Sequence, residues 1–136
     1  MPKNSSEKAF TLVEILIVVG IIALIASVSI PNLIAVKRSA NEAAAKGNLR
    51  SLSSAAETAS ISLGHYPVSI GELQTSINSA ASFCADVTGS PTSLNGYNYS
   101  CTMDVSGYTF VVSPTNPGVS GNITYTATTG GILTPL

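Results

Sequence analysis

A run of 27 residues, from Phe10 to Val36, is almost entirely apolar and contains one charged side chain, Glu14. About 20 apolar residues are enough for a helix to cross a bilayer, so the run is long enough to do so. An ionised carboxylate costs at least about 2.5 kcal/mol at the centre of a spanning helix, and less near its end. We therefore expect a membrane helix in which Glu14 has a specific partner.

The residues before this run, 1–9, are polar and carry Lys3, Glu7 and Lys8. They resemble the charged start of a secretory signal. The apolar run is longer than the core of such a signal, which is typically about 7–15 residues, and no small-residue cleavage site follows it. We expect residues 1–9 to be a leader that is removed, while the apolar run is retained.

The helix is expected to continue beyond the apolar run over residues 37–63. Apolar residues recur there at steps of three and four, which places them along one helical face. The members of this face are Ala45, Leu49, Leu52, Ala56, Ala59 and Leu63. The opposite, polar face is expected to hold Lys46, Arg50, Ser54 and Glu57.

Two residues of the apolar run disfavour a regular helix. Pro31 removes one backbone hydrogen bond, and Gly20 is about 1 kcal/mol worse than alanine in a helix interior. The sequence therefore predicts a helix kink at Pro31 and a second soft point at Gly20.

Beyond residue 64 the pattern changes to alternation of apolar and polar side chains. Three stretches alternate in this way, over residues 97–104, 108–113 and 123–128, and turn-forming residues separate them. This pattern is typical of half-buried antiparallel strands, and Ile132 and Leu133 give a candidate fourth strand. The predicted class is α+β, with a long helix packed against a small antiparallel sheet of three or four strands. The head would span residues 64–136.

Charge is distributed unevenly. All six basic residues lie within the first fifty positions, so residues 51–136 contain acidic side chains and no Lys or Arg. A domain without cations cannot neutralise phosphates, and we predict no nucleic-acid binding by the head.

The two cysteines, Cys84 and Cys101, lie in this polar half. Downstream of a membrane segment such a pair favours a disulfide, and the single histidine, His65, makes a zinc site a poor alternative. No nucleophile–base set, paired acids or phosphate-binding glycine loop is recognisable. We therefore predict no catalytic residues, no enzymatic activity and no cofactor or metal.

The run Lys8-Ala9-Phe10-Thr11-Leu12-Val13-Glu14, followed by an apolar helix containing Pro31, resembles the amino-terminal signature of type IV pilins and their relatives. The resemblance covers residues 8–38. It implies that a prepilin peptidase cuts between Ala9 and Phe10 and N-methylates the new Phe10 amine. The family usually has glycine before the cut, where this chain has Ala9. Cleavage also gives Glu14 a candidate partner, the Phe10 amine of a neighbouring subunit or, alternatively, of its own chain.

The resemblance implies a structural subunit that polymerises with copies of itself into a surface filament. Before assembly it would sit in the inner membrane, with its amino terminus in the cytoplasm and its head outside, and pilus assembly machinery would polymerise it. Adhesion, motility and uptake are not distinguished. A pseudopilin of type II secretion is one alternative, although its acidic calcium-binding loop has no counterpart after Asp104. A membrane-anchored binding module is the alternative from another class.

Overall fold

The computed structural model of the protein describes residues 10–78 and 80–136. The predicted leader, including Ala9, lies outside the described residues. By chain order the elements are three helices and five strands: α1 Leu12–Leu63, α2 Ile70–Gln74, α3 Ala80–Phe83, β1 Thr92–Leu94, β2 Tyr97–Asp104, β3 Gly107–Pro114, β4 Tyr125–Thr128 and β5 Ile132–Pro135. The chain separates into two compact units, one ending at Ile34 and the other spanning Ala35–Leu136.

The described part of the first unit is the beginning of α1. Its sequence is rich in Ile, Leu and Val, and the helical assignment continues through both Gly20 and Pro31. The kink at these two residues stays a prediction.

The second unit contains an antiparallel sheet with the strand order β1-β2-β3-β4-β5. Every strand pairs with its neighbour in sequence. The α+β prediction is confirmed, but the sheet has five strands instead of three or four, because β1 was not expected. Asn95 and Gly96 join β1 to β2, with φ of 52° and 77°. Two positive φ values fit the two-residue hairpin turn that an Asn-Gly pair favours.

The later part of α1 packs against one face of this sheet. Five of the six residues predicted for the apolar helical face are at most 1% exposed: Ala45, Leu49, Leu52, Ala56 and Ala59. The sixth, Leu63, is the last residue of the helix and is 37% exposed. The facing side chains of the sheet are larger and include Tyr97, Tyr99, Phe110 and Val112, all buried. Alanines on the helix bring its backbone close to the sheet, and the aromatic rings fill the remaining space.

A disulfide joins Cys84, which follows α3, to Cys101 in β2, as predicted. Both cysteines are buried, and Phe83 packs on Tyr99 beside them with a centroid separation of 5.5 Å. The bridge therefore attaches the α2–α3 segment to the middle of the sheet.

Candidate assembly site

The beginning of α1 is capped by reciprocal hydrogen bonds between Thr11 and Glu14. The Thr11 backbone N–H and hydroxyl both donate to Oε2 of Glu14, each at 2.8 Å. The Glu14 N–H donates in return to the Thr11 hydroxyl at 3.3 Å. This is a capping box, in which a Thr at the N-cap and a Glu three residues later satisfy each other's free donors.

Sequence reasoning did not find the role of Thr11, although the signal was present. Thr11-Leu-Val-Glu14 has the S/T-x-x-E spacing and stands directly before an apolar run. Among the described residues, the hydrogen bonds to the carboxylate all go to Oε2, and Oε1 receives none. Glu14 therefore has a partner within its own chain, Thr11, at Oε2. Its Oε1 is available to accept a hydrogen bond from a second partner. Pairing of Glu14 with a Phe10 amine stays a prediction.

The large apolar side chains around and after this cap, from Phe10 to Val36, are exposed in the structure. Every large apolar residue from Phe10 to Val36 is at least 44% exposed, and Phe10 itself is 80% exposed. The most apolar window of α1 has a mean hydropathy of 2.8 and none of its residues is buried. By length and composition this helix can cross a membrane. Seventeen exposed aliphatic and aromatic side chains also form a surface that needs either lipid or other helices around it.

A second cluster of functional side chains lies in the head, around Glu57. Its Oε1 accepts from the Tyr108 hydroxyl at 2.9 Å and the Gly130 N–H at 2.7 Å, and its Oε2 accepts from the Tyr66 hydroxyl at 3.1 Å. The buried Ser53 shares a 2.8 Å hydrogen bond with the same Tyr108 hydroxyl. Glu57 was expected on the outward polar face of the helix. It lies instead at the margin of that face, where the Tyr108 hydroxyl of β3 donates to it.

Burial raises the pKa of Glu57, but hydrogen bonds from Tyr108, Gly130 and Tyr66 outweigh it and hold the pKa below its usual value. Burial, with Glu57 beside it, raises the pKa of the Tyr66 phenol. The cluster therefore keeps the Glu57 carboxylate ionised and the Tyr66 and Tyr108 phenols neutral. In these protonation states both phenols donate hydrogen bonds to Glu57, which holds the two tyrosines in place.

The remaining candidate residues do not assemble into a chemical centre within the described ranges. Nδ1 of His65 is 2.8 Å from the carbonyl of Tyr66 on the surface. Across residues 10–78 and 80–136 no group of three or more His, Cys, Asp or Glu side chains is arranged to hold a metal ion.

Two comparisons with known proteins bear on the amino-terminal segment. The prokaryotic N-terminal methylation motif matches residues 4–30. The major component of the type IV wide pilus of Thermus thermophilus, PilA4, is 57% identical over 35 residues. That alignment covers 26% of this chain and 27% of the relative. No solved structure gave a significant match.

These matches confirm the resemblance read from the sequence, and the methylation motif lies at the start of the chain. The segment that carries the capping box and the beginning of the uncovered apolar helix matches the prokaryotic N-terminal methylation motif. The head, which contains the sheet, the disulfide and the Glu57 cluster, lies outside the matched residues.

Proposed function

We propose that this chain is a type IV pilin, a structural subunit that polymerises through its apolar helix into a surface filament. The observation that carries the proposal is the coincidence of the methylation motif with a helical segment whose large apolar side chains, up to Val36, are all exposed. A lipid bilayer covers such a surface while the subunit is stored, and a bundle of identical helices covers it after assembly. The name of the relative, a pilus major component, favours the pilin over the pseudopilin.

Maturation follows from the motif. A prepilin peptidase would cut between Ala9 and Phe10 and methylate the Phe10 amine, on the cytoplasmic side of the inner membrane. The head would lie outside the cytoplasm, an oxidising setting that fits the Cys84–Cys101 disulfide. The partners of the subunit are then the peptidase, the assembly machinery, the membrane and further copies of the chain.

Glu14 would set the stagger between subunits. Its Oε2 caps its own helix, while its Oε1 receives no hydrogen bond from the described residues and can accept one from the Phe10 amine of a neighbour. In an apolar setting an unpaired carboxylate is costly, so a subunit whose amine reaches Glu14 is favoured over a misaligned one.

The substitution Glu14→Gln tests this role without removing the helix cap. Glutamine occupies the same capping-box position but carries no charge. We expect wild-type cells to yield shear-released filaments composed mainly of this chain, beginning at a methylated Phe10 by mass spectrometry. E14Q subunits should accumulate in the membrane fraction without filaments.

Two outcomes would contradict the proposal at different points. Wild-type filaments that lack this chain would remove the filament function. E14Q filaments at wild-type yield would remove the charge-pairing role of Glu14 and leave the filament function intact. Thr11→Ser, which keeps the capping hydroxyl, is the matched control and should assemble normally.

A further inference from the structure

The charged side chains of the unit Ala35–Leu136 are segregated between its surfaces. Its cations all lie on α1, and Lys46 and Arg50 are exposed. Residues four apart on a helix are neighbours, with their Cβ atoms about 5–6 Å apart. Among the described residues neither side chain forms an ion pair or hydrogen bond. Lys46 and Arg50 therefore form an unpaired patch of two positive charges, called here the cationic face.

Two carboxylates, Asp86 and Asp104, are related by the register beside one end of β2. Thr88 bridges Thr102, and the Met103 N–H bonds to the carbonyl of Val87, so the segment before β1 runs antiparallel beside β2. Extended by one further step, this register would set Asp86 opposite Asp104. Side chains directly opposite each other on an antiparallel pair have Cβ atoms about 5 Å apart. We call Asp86, Asp104 and the adjacent Val105 the acidic corner.

Each of these carboxylates is held by its own turn. Oδ1 of Asp86 accepts from the N–H groups of Thr88 and Ser90 at 2.9 and 3.1 Å. Oδ1 of Asp104 accepts from the N–H groups of Ser106 and Gly107 at 2.7 and 3.2 Å. Hydrogen bonds from Ser90 and Thr88 lower the pKa of Asp86 to about 2. Both carboxylates are thus ionised and fixed in direction, while their Oδ2 atoms receive no hydrogen bond from the described residues.

A groove lies beside Arg50, and an exposed apolar side chain lies beside Asp104. A shallow groove of about 380 Å³ runs along Arg50, Ser51, Ser54 and Thr58 of α1 and is closed on one side by Ser76. Val105, at the tip of the β2–β3 turn, is an apolar side chain that is 65% exposed. The groove offers Val105 a partly enclosed seat next to Arg50, at the place where Asp104 would meet the cation.

We propose that the acidic corner of one subunit docks on the cationic face of the next, with Val105 in the groove beside Arg50. Two aspartates with Cβ atoms about 5 Å apart in the extended register then meet two cationic residues with Cβ atoms about 5–6 Å apart. In a head-to-tail arrangement, a contact between two different patches of the same chain leaves one patch of each kind free at the ends and repeats from copy to copy. It therefore adds a head contact to the polymerisation by the apolar helix, on which this inference rests.

The test compares two neutralised pairs in the full chain, replacing the wild-type copy in its own host. Lys46→Gln with Arg50→Gln removes the cations, and Asp86→Asn with Asp104→Asn removes the anions while keeping the oxygen that accepts from each turn. We expect each double variant to lower the yield of sheared filaments about fivefold, with normal subunit levels and an intact disulfide. The quadruple variant should do no worse than either double, since both remove the same contact.

Glu72→Gln is the matched control. Glu72 is another carboxylate of the head, away from the acidic corner, and its Oε2 accepts from the Val68 N–H at 2.8 Å. It should assemble at wild-type yield. Double variants with wild-type yield, or losses that multiply in the quadruple variant, would overturn the docking proposal. A wild type that makes no filament of this chain would instead overturn the proposed function.

A second measurement uses wild-type filaments only. A carbodiimide joins an amine to a carboxylate with which it is in contact, so mixed isotope-labelled subunits should give a Lys46–Asp86 or Lys46–Asp104 cross-link between light and heavy chains. Lys46 cross-linked to other carboxylates, with neither aspartate represented, would also overturn the proposal.

Discussion

At the scale of single residues, carboxylates in this chain act through fixed hydrogen bonds. Glu57 accepts from three donors that lie after α1, in β3 and in the β4–β5 turn. Because these donors are far apart in sequence, one side chain holds the end of the helix, the third strand and the last turn together. All three hydrogen bonds have a charged acceptor, and such hydrogen bonds are stronger than those between neutral groups.

Replacement of Glu57 by Gln should destabilise the head by about 1 kcal/mol at neutral pH, because Glu57 is partly solvent-exposed and its charged hydrogen bonds are screened. Its folded pKa lies below its unfolded value, so its contribution is present above the unfolded pKa and is lost as pH falls through the folded one. Thermal unfolding of the full chain in detergent should show a gap between wild type and E57Q at pH 7 that closes in acid. A gap that stays constant with pH would contradict the assignment.

At this scale the sequence predicted that Glu14 needs a specific partner. It did not predict the hydrogen bonds that Thr11 makes to Glu14 or that Tyr108 makes to Glu57. The cost of a carboxylate in a membrane predicts an opposite charge beside Glu14, whereas the structure shows Thr11, whose hydroxyl and N–H lie three residues away. Glu57 was placed outward because helical spacing alone puts it beside Arg50 and Ser54. Spacing cannot show that Tyr108, 51 residues later, extends to the margin of that face.

At the scale of elements, the disulfide joins the end of α3 to β2. α3 has four residues and buries little surface, so the bond from Cys84 to Cys101 adds to the packing of Ala80 and Phe83 in the core. The sequence indicated the bond but not α3, since four residues carry no helical periodicity. β1 was missed for a similar reason, although Asn95-Gly96 marked its turn.

Reduction of the Cys84–Cys101 bond should lower the stability of the head by about 3 kcal/mol, since the bond closes a loop of 17 residues. The measurement is the thermal midpoint of the full chain in detergent with and without reductant. The variant with both cysteines replaced by serine should show the lower midpoint in both conditions. Equal midpoints for oxidised and reduced wild type would contradict a stabilising role.

At the scale of the whole molecule, the two units differ in what they need around them. The first exposes its apolar side chains, while the second has its own core, built from residues of α1 and of the sheet. The sequence predicts a division of the helix between Val36 and Lys37, from the change between an all-apolar and an amphipathic pattern. The helical backbone itself marks no boundary there, because α1 continues from Leu12 to Leu63 without interruption.

A chain that begins at Ala35 should therefore fold as a water-soluble head, since it keeps the buried helical face and all five strands. We expect a monomer without detergent, with the Cys84–Cys101 bond formed and a cooperative thermal transition. A chain that begins at Gly64 lacks Ala45 to Ala59 and leaves Tyr97, Tyr99 and Phe110 uncovered, so it should aggregate. Equal solubility of both chains would show that the helical face is not needed.

The strand order of the head has a kinetic consequence. Each strand pairs with the one before it in the chain, so the sheet can grow from β1 to β5 in the order in which residues leave a translocation channel. Contacts that are local in sequence form fast, and no early strand has to wait for a distant partner. The helix that supplies the other side of the core is already outside by then. If the head lies outside the cytoplasm as proposed, its export and folding can proceed together, which shortens the time for which the aromatic side chains of the strands are exposed.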